Sequence, residues 1–405
     1  MASYLIKGAQ ILTGDEIIQD DLAVEGGQIS AIGSDARGDL TIDGAGLLLA
    51  PGLVDIHGDA FERQIMARPG VFFDIDLAFL DTDRQLAANG ITTAYHALTL
   101  SWEPGLRSVE RGAEVIDGLT ALEPRLTVDH RVQLRWETFA SEAEALIEET
   151  VASATKAPSI AFNDHTTMML RAKDMRVQDR PLVMAPDDLI ASDDPVLLKR
   201  CLTPARRSDM TVEAYRDMLV GKWSARDKVE DGIARMAKLG AANGLPMLSH
   251  DDSFPEMRQY WTAKGAKIAE FPMSKLTAED AKSRDEWVVY GAPNAVRGGS
   301  HIGSPGTADM VEAGLCDVVA SDYYYPAMLA GIAKMHAENR ASLPALWKTV
   351  STNPAKASGL TDRGEIAIGK RADLVLIDWP EGAPPAIAMT LSGGHIAHLR
   401  GDLIT

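Results

Sequence analysis

The sequence has few of the features that mark secreted, membrane or fibrous proteins. It contains only two cysteines among 405 residues, which excludes a disulfide framework and favours a reducing, cytoplasmic compartment. No stretch reaches 18 uninterrupted apolar residues, so a transmembrane helix is not expected. The first residues show no basic segment followed by an apolar core, and we therefore expect no signal peptide.

Positive charge is also scarce in this chain. Forty lysines and arginines against 58 aspartates and glutamates give a formal net charge of −18, which argues against nucleic acid as a partner. An anionic small molecule remains compatible with this balance, because a few arginines or a metal ion can reverse the field inside a pocket. The signatures GxGxxG and GxxxxGK[ST] are absent, so no nucleotide-binding loop of those types is expected.

The chain does have the composition of a soluble globular protein, with 46% hydrophobic and 24% charged residues. Both of its ends alternate apolar and polar residues between glycine and aspartate turns, which predicts short strands. The middle of the chain follows a different pattern. We therefore expect one small sheet domain assembled from residues 1–52 and 361–405.

Residues 53–360 alternate short apolar runs with amphipathic, helix-like segments. The runs are LVDIH, TTAYHAL, VQLRWE, SIAFNDH, PMLSH, KIAEF, VVYGAP and DVVAS. Eight strand–helix units in about 300 residues predict a (β/α)8 barrel, although an open doubly wound sheet has the same alternation. The fourth and fifth runs are separated by about eighty residues, which predicts a helical insertion around 171–240, either a lid or packing only.

Side chains that can bind a metal ion follow five of the eight runs. These candidate ligands are His57, Asp59, Glu137, His165, His250 and Asp322. His57 and Asp59 are two residues apart, so a strand would direct both to the same side. Imidazole and carboxylate groups at the carboxyl ends of barrel strands are typical of divalent metal sites. Zinc suits such ligands, and manganese or iron would as well.

Arginines close to the same strand ends indicate a phosphorylated small-molecule substrate. Arg135 lies two residues before Glu137, and the segment 297–301 joins a guanidinium to a glycine-rich turn whose N–H groups can hold an anion. The predicted substrate-binding residues are Arg63, Arg68, Arg135, Asn294, Arg297, Ser300 and His301. Each arginine taken singly could instead be a surface residue in a solvated loop.

Three aspartates flank the histidine candidates, namely Asp164, Asp251 and Asp252. Either they orient the histidine rings from behind the metal, or they begin helices as N-caps.

Several segments resemble the amidohydrolase superfamily: APGLVDIHGD after the N-terminal strands, GITT, SHDD, a late SD, and NPAKASGL followed by GEIAIGKRADLVLID. The resemblance implies a metal-bearing (β/α)8 barrel beside a small β-sandwich domain formed by both chain termini. RPGV, LRWE, DHT, EFP and GAPNAVRGGSH are similar to a branch of this superfamily that acts in the use of alkylphosphonates.

The resemblance to this branch implies a metal-dependent hydrolase that releases pyrophosphate from a ribose 5-triphosphate phosphonate. It also implies one or two divalent ions with Glu137 shared between them, and Asp322 as the catalytic proton acceptor. The alternative is a hydrolase of C–N bonds in an amide, a cyclic amide or a deaminable ring, since the same metal chemistry serves both. A non-catalytic scaffold fits less well, because the ligand set is complete. A homo-oligomer is compatible with the sequence.

Overall fold

A computed structural model describes residues 3–300, 303–401 and 403–404 of the chain. Its strands are β1 (Tyr4–Leu12), β2 (Ile17–Glu25), β3 (Gln28–Ile32), β4 (Leu40–Asp43), β5 (Leu48–Pro51), β6 (Leu53–Gly58), β7 (Met66–Arg68), β8 (Val71–Phe72), β9 (Ile91–Leu100), β10 (Asp129–Glu137), β11 (Ser159–Asn163), β12 (Met247–His250), β13 (Ile268–Glu270), β14 (Trp287–Gly291), β15 (Val318–Ala320), β16 (Leu374–Asp378), β17 (Ala386–Ser392) and β18 (His395–Leu399).

Helices connect most of these strands. They are α1 (Glu62–Ile65), α2 (Ile75–Ala88), α3 (Val109–Leu122), α4 (Glu144–Ser153), α5 (His165–Leu170), α6 (Pro195–Arg207), α7 (Val212–Ser224), α8 (Val229–Ala242), α9 (Pro255–Ala263), α10 (Lys275–Ser283), α11 (Ala292–Arg297), α12 (Thr307–Glu312), α13 (Ala327–Ala337), α14 (Leu343–Lys348) and α15 (Thr352–Ala357). Short 3-10 turns lie at Gly105–Arg107, Glu123–Arg125, Ser141–Ala143, Val177–Asp179, Pro186–Asp188 and Arg226–Lys228. None of the helices in the described ranges is long and apolar enough to span a bilayer.

The two ends of the chain form one sheet, which confirms the predicted β-sandwich domain. Its strand order is β18-β17-β16-β5-β1-β2-β3, with β4 paired to β1. β16 runs antiparallel to β5, so a strand that follows the barrel is bonded directly to one that precedes it. Inward-facing aliphatic side chains such as Ile6, Ile11, Leu49 and Leu376 form its core. All of its strands fall within the predicted limits of 1–52 and 361–405, which stay a prediction as domain boundaries.

The other large sheet is a barrel of eight parallel strands in the order β15-β14-β13-β12-β11-β10-β9-β6. Each of these strands coincides with one of the eight predicted runs. The first and last strands also meet, because the N–H of Asp322 donates to the carbonyl of His57 (3.0 Å) and the N–H of Asp59 donates to the carbonyl of Asp322 (2.9 Å). The barrel is therefore confirmed, and the open doubly wound sheet is excluded.

A buried carboxylate reinforces this closure. Asp55 on β6 accepts hydrogen bonds from the N–H (3.0 Å) and the hydroxyl (2.5 Å) of Ser321, which follows β15. It also accepts a bond from the N–H of His57 (3.3 Å). The contact leaves no room for a side chain at position 58, since a Cβ on Gly58 would lie 2.6 Å from the Asp55 carboxylate. The residues whose backbones close the barrel, His57, Asp59 and Asp322, are therefore also candidate metal ligands.

The long connection between β11 and β12 is helical, as predicted, and contains α5, α6, α7 and α8. The buried carboxylate of Glu103, which follows β9, forms an ion pair with Arg207 of α6 and accepts a hydrogen bond from the Tyr215 hydroxyl of α7 (2.5 Å). Burial acts to raise the pKa of Glu103, but the charge of Arg207 and further contacts lower it overall. These contacts attach the insertion to the carboxyl-end face of the barrel. Its role as a lid stays a prediction.

Because Asp55 holds the barrel closed, we expect its replacement to lower the stability of the protein strongly. Asp55→Ala leaves the buried donors of Ser321 and His57 without their acceptor, so the free energy of unfolding should fall by about 2–4 kcal/mol. Urea-induced unfolding followed by circular dichroism measures this change. Asp15→Ala is the control, because Asp15 forms only an exposed ion pair with Lys348 and should change stability by at most about 1 kcal/mol. Equal effects of the two substitutions would contradict the structural role of Asp55.

Candidate active site

Two overlapping groups of side chains at the carboxyl ends of the barrel strands can hold a metal ion. Among the described residues, one group is His57, Asp59 and Asp322, and the other is His57, His250 and Glu270. In each group one possible ligand atom per residue lies within 4.8 Å of the others. Nitrogen and carboxylate oxygen donors in a largely buried site fit a divalent ion such as zinc, manganese or iron.

Glu270 lies behind both histidines. One of its carboxylate oxygens, Oε1, is 2.9 Å from His57 Nδ1, and the other, Oε2, is 3.3 Å from His250 Nδ1. The amide of Gln133 also donates to Oε1 (2.7 Å). A carboxylate that accepts Nδ1–H fixes the ring and leaves Nε2 available to a metal. Glu270 therefore suits the role of orienting both histidine rings from their Nδ1 sides.

Glu270 and His57 each stabilise the charged form of the other. Burial acts to raise the pKa of Glu270, but the neighbouring His57 and His250 lower it overall. Burial likewise acts to lower the pKa of His57, but the Glu270 carboxylate raises it overall. The pair is held in the interior, where Glu270 is fully buried.

The Arg135 guanidinium lies within the same site. Its Nη2 is 2.9 Å from His250 Nε2, its Nη1 is 3.5 Å from Asp59 Oδ2, and its Nε donates to Asn163 Oδ1 (3.0 Å). Only 6% of Arg135 is exposed. A fixed positive charge therefore stands beside the candidate ligands.

Asp322 combines an unusual backbone with a perturbed carboxyl group. Its φ of 55° lies in the left-handed region, which is costly for a residue with a Cβ. This conformation occurs where the chain leaves β15 and bonds to His57 and Asp59. Burial, followed by the negative charge of Asp59, raises the pKa of Asp322 to about 6.

Glu137 and His165 form a separate pair that belongs to neither group. Both Glu137 oxygens accept hydrogen bonds from the start of α5: from the N–H of His165 (2.9 Å), and from the N–H (3.2 Å) and hydroxyl (2.8 Å) of Thr166. Burial raises the pKa of Glu137 to about 7. In the part of the chain that the structure describes, neither group of possible metal ligands includes Glu137. The shared role of Glu137 between two ions stays a prediction.

The three flanking aspartates have different surroundings. Asp164 is the N-cap of α5, accepting from the N–H of Thr167 (2.8 Å), and it also pairs with Arg180 (3.0 Å). Asp252 accepts from Arg258 (2.9 Å) in the interior. Only Asp251, 3.6 Å from His250 Nε2, approaches a histidine ring among the three. The N-cap alternative therefore describes Asp164.

Two of the predicted substrate-binding arginines contact Tyr323, the residue after Asp322. Arg63 donates to the carbonyl of Tyr323 (2.5 Å), and Arg297 lies 3.4 Å from the Tyr323 hydroxyl. Both arginines are exposed, and their role in binding substrate stays a prediction. Arg68 is exposed on β7.

The glycine-rich turn, whose predicted anion-binding role stays a prediction, uses two of its N–H groups internally. The N–H groups of Gly298 and Gly299 donate to the carbonyl of Asn294 (3.1 and 3.0 Å), because Gly298 ends α11 in a left-handed conformation. They are therefore used within the turn in this structure. The Ser300 hydroxyl accepts from Ser304 (2.7 Å), and His301 lies outside the described residues.

The sequence interpretation missed Glu270, Gln133 and Asn163. Glu270 ends the run KIAEF in the way that the other candidate ligands end theirs, so the rule that found them would have found it too. Gln133 and Asn163 carry no such signal, since amides are common in strands and only the assembled barrel brings them to Glu270 and Arg135.

A metal-ligand group at the carboxyl end of a (β/α)8 barrel is typical of metal-dependent hydrolases. The profile of the Amidohydrolase family matches residues 97–398. The chain is 30% identical over 395 residues to alpha-D-ribose 1-methylphosphonate 5-triphosphate diphosphatase of Escherichia coli (strain K12), covering 92% of this chain and 94% of that protein. The protein belongs to the amidohydrolase family.

Other relatives act on different bonds. An adenine deaminase of Methylobacterium nodulans is 25% identical over 397 residues, covering 97% of this chain and 58% of that protein. A beta-aspartyl dipeptidase structure from Fervidobacterium islandicum AW-1 has a TM-score of 0.62 at 18% identity, covering 99% of this chain and 98% of that one. This structural likeness shows the shared fold.

The site predicts that His57 is essential for metal binding. His57→Ala removes the residue that both groups share, so the bound divalent metal measured by plasma mass spectrometry should fall to near zero. His336→Ala, on α13 against Trp379, is the matched control and should keep the metal. Undiminished metal in the His57 variant would contradict this assignment.

Glu137→Gln tests the two-ion arrangement in the same assay. Loss of one ion per chain would support Glu137 as a shared ligand. Unchanged metal content would limit Glu137 to its contacts with the start of α5.

Proposed function

We propose that the protein is a metal-dependent diphosphohydrolase that releases pyrophosphate from a ribose 5-triphosphate carrying a phosphonate. The observation that carries the proposal is the buried Arg135 guanidinium, which stands against Asp59 and His250 in the candidate metal site. A metal ion and a fixed guanidinium together suit a polyphosphate, whose oxygens carry several negative charges. The identity with the Escherichia coli diphosphatase over nearly the whole of both chains supports the same activity.

In this proposal one divalent ion is held by His57, Asp59 and Asp322, with His250 beside them. A single ion is favoured because the two groups share His57 and because Glu270 orients the histidines from behind. When bound, the ion supplies Lewis-acid activation of water and of a phosphoryl oxygen. Zinc, manganese and iron all fit these donors.

The chain's own residues then position the substrate and move the proton. Arg135 binds a phosphoryl oxygen by charge-assisted hydrogen bonds, while Arg63 and Arg297 hold the outer part of the phosphate chain. A carboxylate oxygen of Asp322 accepts the proton of the attacking water and returns it to the leaving group. These roles need an anionic substrate, which a chain of net charge −18 attracts only through such local cations.

A C–N hydrolase is the second candidate. It is favoured by the similarity to adenine deaminases over nearly the whole chain, and by the glycine turn, whose N–H groups are used internally. The metal chemistry would be the same, so arginine substitutions separate the two functions.

We expect Arg297→Ala to impair turnover of a ribose 5-triphosphate and to spare turnover of a cyclic amide. Loss of one charge-assisted contact costs about 1.5–3 kcal/mol, so KM or kcat/KM should worsen roughly ten- to over a hundredfold. Arg284→Ala is the matched control, because Arg284 is an exposed arginine at the end of α10 that pairs with Asp280. Pyrophosphate release and amide hydrolysis are measured in parallel. Unimpaired pyrophosphate release in the Arg297 variant would remove Arg297 from substrate binding, whereas turnover of the amide alone by the wild type would favour the C–N hydrolase.

Asp322→Asn tests the proton acceptor. The amide keeps the shape of the carboxyl group but cannot accept the proton, so kcat should fall by roughly 10²- to 10⁴-fold. Metal analysis of the same sample separates this effect from loss of the ion. A wild-type kcat in that variant would assign the proton transfer to another group.

A further inference from the structure

A second cavity adjoins the candidate metal site. Its volume is about 280 Å³, and His250, which belongs to one of the metal groups, is part of its wall. We call it the side pocket. Strand ends of the barrel supply Phe139, Phe162 and His250, whereas the insertion supplies the loop around Val183 and Trp223 of α7.

Aromatic rings dominate the side pocket. Phe139 and Trp223 stack with their centroids 5.8 Å apart and an interplanar angle of 22°. Phe162 and Trp261 stack at 5.0 Å and 23°, and Tyr260 meets Trp261 edge to face at 4.9 Å. Phe162 and Trp261 are buried, whereas Phe139, Trp223 and Tyr260 are partly exposed, and a partly exposed aromatic ring can stack on a planar ligand.

A few polar groups lie among these rings. The carboxylates of Asp164 and Glu230, the buried guanidinium of Arg180 and the hydroxyl of Thr138 line the same space. Apolar walls with few polar groups are typical of ligand sites. A ring with its own donors and acceptors, that is a heteroaromatic one, fits this lining better than a plain hydrocarbon.

The insertion leaves apolar side chains exposed at the side pocket. Val183 is 79% exposed and Leu182 is 37% exposed, although both line the pocket. Apolar side chains in such a position gain from being covered by a ligand. The volume is slightly below the ~300 Å³ at the lower end for drug-sized ligands, which suits one ring system with the rest of the substrate extending towards the metal group.

We propose that the side pocket binds a planar heteroaromatic ring, so that a nucleoside 5′-triphosphate is accepted as a second substrate, with its base beside His250, in addition to the ring-free ribose 5-triphosphate of the proposed function. This inference rests on the proposed function for the reacting end. Water adds to the α-phosphorus, the bond from the α-phosphorus to the oxygen bridging to the β-phosphorus breaks, and pyrophosphate leaves. The remaining product is a nucleoside monophosphate, and the proton of the water passes to Asp322.

The binding of the ring is tested without phosphates. Isothermal calorimetry on the metal-loaded full chain should detect adenosine and should detect no binding of ribose. Trp223→Ala should weaken adenosine binding about ten- to a hundredfold, and Trp223→Phe should restore most of it by keeping a stacking face. Trp379→Ala, remote from the side pocket, is the matched control. Equal binding of adenosine by wild type and the Trp223→Ala variant would overturn the proposal.

A second variant guards against a folding defect at Trp223. Val183→Asp changes a largely exposed side chain, so it should leave the melting temperature unchanged while placing a carboxylate at the pocket. Adenosine binding should again weaken by at least tenfold. Unchanged binding in this variant, with Trp223→Ala unfolded, would also overturn the proposal.

Turnover separates this inference from the proposed function. Pyrophosphate release is measured from adenosine triphosphate and from ribose 5-triphosphate, which share the reacting end. Trp223→Ala should raise KM for adenosine triphosphate only and leave kcat unchanged. Adenosine binding without pyrophosphate from either compound would overturn the proposed function and support the side pocket. Pyrophosphate from ribose 5-triphosphate without any adenosine binding would overturn the side pocket and support the proposed function.

Discussion

The bond between the first and last strands of the barrel is the contact on which both fold and site depend. Asp55 holds Ser321 across this junction, and the backbones of His57 and Asp322 bond to each other there. Because the ligand candidates are the residues that make these bonds, closing the sheet also sets their spacing. Candidate ligands from opposite ends of the barrel sequence become neighbours only when the ring is complete.

Most of the fold could be predicted because its strands are marked in two independent ways. Each barrel run contains several apolar residues, and several runs end in a histidine or carboxylate, as in LVDIH and VQLRWE. The terminal sheet was recognisable from alternation, as in β1 and β17. The short hairpin of β7 and β8 was not predicted, since three residues and two residues are too few to show a period.

Less of the candidate site could be predicted, because spacing shows which side chains share a face but not which of them come into contact. Glu137 has the residue type and position of a ligand, and its contacts with the start of α5 could not be predicted from spacing. Arg135 was expected to touch the substrate, and its contact with His250 emerges only from the neighbouring strands. Contacts of this kind are tertiary and leave no mark in a local sequence pattern.

The insertion supplies part of the side-pocket wall, whereas the ligand groups come from the ends of the barrel strands. Barrel strands carry His57 and Asp322, while the insertion, attached at Glu103, carries Val183 and Trp223. Mutations in the insertion can therefore accumulate without straining the junction that Asp55 holds. A change confined to the insertion can therefore reshape the side pocket without replacing a candidate metal ligand.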